Sequence, residues 1–230
     1  MESTNVKISA VIIGSIDIDV DSLKKVEGVE IFKVTDRKSC DEIVNRVSSD
    51  DLVFIISDGR EVYYAEKFFS RIPALKIYLV TEAQAADNKN LRDVIIQLPA
   101  QDFTKSIHDV INAFNDMLNV EKVMELDFAD IKNLLKNSGK AFVAIGEGSS
   151  VDVAVQNAFE NHDIKSARSL VVNFKSTKEN HSMAELNAAL EKIKDTLSED
   201  TQIVWGATID DSFGDKVKVA VLVGKFIQSN

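Results

Sequence analysis

Two carboxylates, Asp127 and Asp130, stand at the mouth of an apparent amphipathic helix in "MELDFADIKNLL", residues 124–135. Acids so close together are suited to acid–base chemistry, and equally to capping the helix they open. As a cap, the Asp127 carboxylate is placed to accept from the N–H of Asp130. Acids in a first turn also suit the helix dipole, each such contact contributing about 0.5–2 kcal/mol at most. Phe128, Ile131, Leu134 and Leu135 read as the buried stripe of the same helix. Capping alone is therefore enough to account for both acids.

Other stretches offer chemistry in principle. "AIGEGSSVDVAV", residues 144–155, reads as strand, glycine loop and helix, the order of a phosphate cradle, but no lysine follows at the spacing of a P-loop. His108, His162 and His181 are far apart and show no metal-ligand or triad spacing. Cys40 is the single cysteine; it has no histidine near it in sequence to activate it, and no second thiol for a disulfide or a zinc site. "YYAEKFF", residues 63–69, reads as a packed helix face.

The elements that must position these residues follow from composition and patterning. A chain of 230 residues with 45% hydrophobic and 28% charged residues is an ordinary globular protein, long enough for two compact lobes. Its net charge of −10, with no basic stripe, argues against nucleic acid and anionic membranes as partners. No apolar run approaches the roughly 18 residues of a membrane span, and "MESTNVKISAVIIGSIDIDV" reads as a first strand, not a signal peptide. No membrane insertion and a cytoplasmic location are expected.

Short β-branched runs begin at Lys7, Val29, Asp51, Leu75 and Val94; being apolar on both faces, they predict a covered parallel sheet. Helical spacing in "DSLKKV", "SCDEIVNRVS" and "REVYYAEKFFSRI" alternates with them, so the first half predicts an α/β layer. Residues 100–120 form a long amphipathic helix, and a lobe boundary is expected at its end, giving lobes of residues 1–119 and 120–230. The second half reads as helix 127–137, strand 141–146, helix 150–161, strand 169–174, helix 182–197 and two last strands. "TQIVWGATID" and "KVKVAVLVG", joined across "DSFGD", are expected as an antiparallel pair closing an α/β sandwich.

Four pieces of this second half, "LDFADIKNLLKNSGKAFVAIGEG", "ARSLVVNF", the helix after it and "IVWGATIDDSFGDKVKVAVLVG", resemble the C-terminal domain of FtsZ, the bacterial and archaeal relative of tubulin. The likeness covers roughly residues 120–226. It implies an FtsZ/tubulin-like α/β fold: a reduced Rossmann-like parallel-sheet lobe, a long central helix and a C-terminal α/β sandwich lobe. In that family a loop written N-x-D-F-A-D polarises water over the γ-phosphate held by a neighbouring subunit. Asp127, Phe128 and Asp130 fall on that loop, with Glu125 in place of the usual Asn.

The first half departs from the family where nucleotide would bind. Gly14 is followed by "SIDIDVDSL" instead of a glycine run, and "DLVFIISDG" passes directly into "REVYYAEKFF" with no G-G-G-T-G-[ST]-G signature. Glycines in such loops let backbone N–H groups converge on phosphate oxygens. Asp17, Asp19 and Asp21 add negative charge there, and His108 stands where "FTKSIHDVI" should carry Asn.

The resemblance, with these losses, implies a non-catalytic FtsZ-like protein with no nucleotide, metal or other cofactor. It would assemble with itself or with an FtsZ-family partner, capping or regulating its filaments in cell division. The alternatives are a divergent GTPase that still binds GTP with Mg²⁺, and a scaffold with unrelated partners.

Overall fold

The computed structural model describes residues 5–57, 62–81, 93–124, 126–135 and 139–225. They fall into two compact units, residues 1–115 and 116–230.

In the first unit, β1 (Ile8–Ile12), β2 (Val29–Lys33), β3 (Leu52–Ser57), β4 (Leu75–Thr81) and β5 (Val94–Leu98) pair in parallel in the order β2-β1-β3-β4-β5. The side chains of β1, β3, β4 and β5 are buried on both faces, as strands with near-continuous apolar runs require, while the edge strand β2 is largely open. The helices are α1 (Val20–Leu23), α2 (Arg37–Arg46), α3 (Val62–Phe69) and α4 (Phe103–Asn119), the last continuing into the second unit. On one face Val11, Val53, Ile55 and Tyr78 pack against Cys40, Ile43 and Val44 of α2 and Ala65 and Phe69 of α3. On the other, Phe114 of α4 meets the ring of Phe54 edge-on, with centroids 5.3 Å apart. Helices on both faces follow from right-handed crossovers, and the strand order reverses between β1 and β3.

The second unit comprises β6 (Lys122–Met124), α5 (Phe128–Leu135), β7 (Lys140–Gly148), α6 (Val151–Phe159), β8 (Ser169–Ser176), α7 (Met183–Lys194), β9 (Gln202–Ile209) and β10 (Val217–Lys225). The strands lie in the order β7-β10-β8-β9-β6. Here the expected pairing of the last two strands is corrected: β9 and β10 are separated by β8, which pairs in parallel with β9 and antiparallel with β10. The five-residue "DSFGD" looks like a hairpin loop, but burial decides the order. β10 is buried along nearly its whole length and takes a central place, with ladders to both β7 and β8. β9, half-exposed in its first half, sits next to the edge strand β6.

α6 and α7 cover one face of this sheet, where Ala154, Ala158, Leu186 and Leu190 pack on Leu170, Val172, Phe174 and Val221. α5 lies against β8 and β9. A second correction concerns "AIGEGSS": Gly146 and Gly148 are not in a loop but inside β7. A Cβ on Gly146 would overlap the backbone O of Ala154 and N of Ala158, and one on Gly148 would stand 2.8 Å from Ala154 N. The glycines let α6 rest directly on the strand. Its start is closed by Ser150, whose hydroxyl accepts from Val153 N–H at 3.4 Å.

Candidate functional site

The first unit places its candidate crevice where the strand order reverses, at the carboxyl ends of β1 and β3. After β3, Asp58 and Gly59 of the second expected phosphate loop lie outside the described residues. The loop after β1 is described. Ile13 N–H donates to Ile56 O at 2.9 Å, Gly14 turns the chain with φ 90°, and the chain then reaches α1, a single turn where "DSLKKV" predicted more.

The N-terminus of α1 is already served: Asp19 Oδ1 accepts from Ser22 N–H at 3.1 Å, while Asp19 N–H donates to Thr104 Oγ1 at 3.3 Å. A cleft of about 620 Å³ opens beside this loop, lined by Gly14, Ser15, Asp17, Lys33, Thr35 and Asp36 among others. The helix start on its wall is closed as well. Asp36 Oδ1 accepts from Ser39 N–H at 2.7 Å and Ser39 Oγ accepts from Asp36 N–H at 3.0 Å, a reciprocal capping box. The bonds to Ser39 hold the Asp36 carboxyl below its ordinary range. Each helix start thus turns one of its free N–H groups to its own aspartate.

In the second unit, the acid pair is positioned by an element that the sequence did not reveal. β6 pairs with β9, Lys122 opposite Thr208 and Met124 opposite Ala207, and Ile209 N–H donates to Glu121 O at 3.1 Å. Gly206 on β9 lets the following residues come close: a Cβ there would stand 2.6 Å from Leu126 Cγ and 2.9 Å from Met124 O. Leu126 is buried, and the chain then emerges at Asp127. Glu125 lies outside the described residues.

Asp127 caps α5, but not as expected: its Oδ1 accepts from Ala129 N–H at 2.8 Å, while Asp130 and Ile131 N–H donate to the Asp127 backbone oxygen. The carboxylate bends into a tight turn over its own next residues. Asp127 and Asp130 are both exposed and Phe128 is half-buried. The stripe narrows to Ile131 and Leu135, with Phe128 and Leu134 only half-covered. Gly206→Ala is expected to push Leu126 and β6 off the sheet edge at a cost of about 1–3 kcal/mol. Faster amide exchange at residues 122–127 would report it, and unchanged exchange would refute the close packing.

A buried ion cluster in this unit was also missed. Lys175 Nζ lies 3.0 Å from Asp116 Oδ1 and 2.8 Å from Asp210 Oδ2, and Lys218 Nζ lies 3.5 Å from Asp116 Oδ2. Lys175 Nζ also sits 5.3 Å over the ring of Phe213. Burial opposes the charge of Lys175, but its bonds to Asp210 and Asp116 outweigh this and raise its pKa. Lys175, with help from the Ser212 hydroxyl, holds Asp210 down to about 2. The signal in sequence was a lysine closing the apolar run "SLVVNFK".

Because folding lowers the pKa of Asp210, its stabilisation is complete above the ordinary carboxylate value of about 3.9 and is lost as pH falls toward about 2. Denaturation measured from about pH 5 to about pH 2 should cost the unaltered chain on the order of 1–2 kcal/mol more than Asp210→Asn. Parallel losses in the two proteins would remove Asp210 from the account.

The remaining sequence candidates lie apart. His108 contacts the Asn112 amide, His162 stacks on Phe142 at 4.8 Å and His181 Nδ1 lies 3.4 Å from Ser176 Oγ. Cys40 is buried, which raises its thiol pKa. In "YYAEKFF", Ala65 and Phe69 are buried and Phe68 half-buried; the side chains of Tyr63 and Tyr64 lie outside the described residues. Among the described residues, no three His, Cys, Asp or Glu are grouped to hold a metal ion, and no helix is long and apolar enough to cross a membrane.

Comparison with known proteins bears on both units. Residues 139–226 match the sequence model of the FtsZ family, C-terminal domain. The fold resembles the M. jannaschii structure "FtsZ dimer, empty" with a TM-score of 0.75 over 97% of this chain and 89% of that one, at 18% identity. Residues 139–226 thus resemble an FtsZ C-terminal domain, and the chain shares the FtsZ fold. FtsZ 2 of Thermococcus kodakarensis is 29% identical over 170 residues, 69% of this chain and 40% of that protein. FtsZ 2 of Pyrococcus furiosus is 29% identical over 148 residues, 59% of this chain and 36% of that protein. The shared segment is thus well under half of these FtsZ proteins. GDP-form protofilaments of TubZ from Bacillus thuringiensis serovar israelensis share the fold with a TM-score of 0.62 and 11% identity, over 96% of this chain and 86% of that one.

Proposed function

We propose that this FtsZ-like chain works by assembly and not by hydrolysis, joining copies of itself or an authentic FtsZ in the cytoplasm and capping or modulating filaments in cell division. One observation carries the reading: the α1 and α2 starts beside the β1 loop are closed by Asp19 and Asp36. A triphosphate needs free N–H donors and positive charge at such helix starts. Here one donor at each start is taken by its own aspartate and the added charge of Asp17 and Asp21 is negative, which argues against GTP with Mg²⁺. Solved neighbours described as a dimer and as protofilaments support assembly as the activity of the fold.

In this reading Asp127 and Asp130 serve in trans, offering an exposed acid pair to the nucleotide end of a neighbour. Co-sedimentation with an authentic FtsZ and GTP should then show shorter polymer or an altered GTPase rate as this chain is titrated in. Unchanged polymer mass, length and rate would refute the role. The retained acid pair is also what a divergent GTPase would keep, and a fluorescent GTP analogue with Mg²⁺ separates the two. No binding at micromolar nucleotide is expected; saturable micromolar binding would favour the GTPase.

A further inference from the structure

The first unit carries a groove between α2 and α3, of about 530 Å³, with a lining unlike that of the cleft beside β1. Ile13, Val34, Cys40, Ala65 and Phe68 form its apolar part. Cys40 and Ala65 form its buried floor, and Phe68 is left half-covered. Charged side chains ring the opening, and its two acids are already engaged. Asp41 pairs with Arg71 at 3.0 Å, and Asp36 accepts from Ser39 N–H in the α2 cap. Arg37 and Lys67, also at the rim, have no ion pair among the described residues.

An apolar hollow flanked by two cations without an ion pair among the described residues, on a chain of net charge −10, favours a particular occupant. A neutral apolar molecule would leave both cations unserved. Nucleic acid or an anionic bilayer needs an extended positive surface, and the rest of the chain would repel either one. A short peptide can place its charges locally.

We infer that the groove docks an acidic peptide segment with one aromatic or leucine anchor. The anchor fills the space over Cys40 and Ala65 and covers Phe68, and flanking carboxylates pair with Arg37 and Lys67. This site goes beyond assembly through the Asp127 loop and stands or falls without it.

Fluorescence polarisation on the whole chain tests it, with dye-labelled pentapeptides carrying two Asp or Glu on each side of Phe, Trp or Leu. Saturable binding is expected, weakening with salt and by about tenfold or more in Arg37→Glu and in Lys67→Glu. Both positions lie at the rim, so folding is expected to survive, with circular dichroism as the check. No saturable binding by any of the peptides at millimolar concentration would overturn the inference, as would binding that survives reversal of both cations. Should the same cations instead govern a concentration-dependent dimer seen by sedimentation, with no peptide bound, the occupant is a second copy and the peptide assignment is wrong.

Discussion

Gly146→Ala should destabilise the second unit by about 3 kcal/mol or more, the upper part of the range for overpacking. The added methyl meets backbone on two sides, Ala154 O and Ala158 N, and neither can rotate away as a side chain would. α6 must lift off β7 as a body, and with it Ala154 and Ala158, which seal the core beneath. Trp205 is the single tryptophan; it packs against that core, with its ring 6.3 Å from Phe174, so its fluorescence reads the loss directly. Urea unfolding followed at Trp205 should move to a lower midpoint. A shift worth under about 1 kcal/mol would mean that α6 does not touch the strand as closely as described.

Lys175→Met should cost about 3–5 kcal/mol at neutral pH, the usual penalty for stranding one side of a buried ion pair. Lys218 still attends Asp116 at 3.5 Å, so the heavier burden falls on Asp210, which loses its closest cation at 2.8 Å. Adding Asp210→Asn removes the stranded charge and should recover part of the loss, a non-additivity that a double-mutant cycle measures. The penalty should also shrink in acid, because the stranded carboxylate then binds a proton. Additive losses in the cycle would show that the cluster does not act as a unit.

What the sequence made legible was whatever rests on local pattern. The buried strands of the first unit announce themselves as runs apolar on both faces, and the β7, α6, β8, α7 succession follows from length and spacing. Strand order did not follow, because "DSFGD" permits a hairpin and only the competition for the sheet centre places β10 between β7 and β8. β6 was invisible: at three residues with mixed polarity, Lys122–Met124 exists as a strand only because β9 is there to pair with it.

The site shows the same division. Asp127 and Asp130 stand out by type and spacing, yet the cap geometry depended on a turn that brings the carboxylate to Ala129 and not to Asp130. Lys175, Asp116 and Asp210 are far apart in sequence, and nothing local joins them. The glycines of β7 looked like a phosphate loop because a helix against a strand and a cradle against a phosphate ask the same of the backbone: no Cβ at the point of approach.

The close seat of Leu126 against Gly206 has a thermodynamic consequence for any encounter at the acid pair. With β6 laddered to β9 and Leu126 held beneath, the backbone at Asp127 is fixed before a partner arrives, and little chain entropy remains to be lost there on binding. Recognition at this loop would then be governed by how well the partner matches two carboxylates already in position, and the cost of ordering falls on the partner alone.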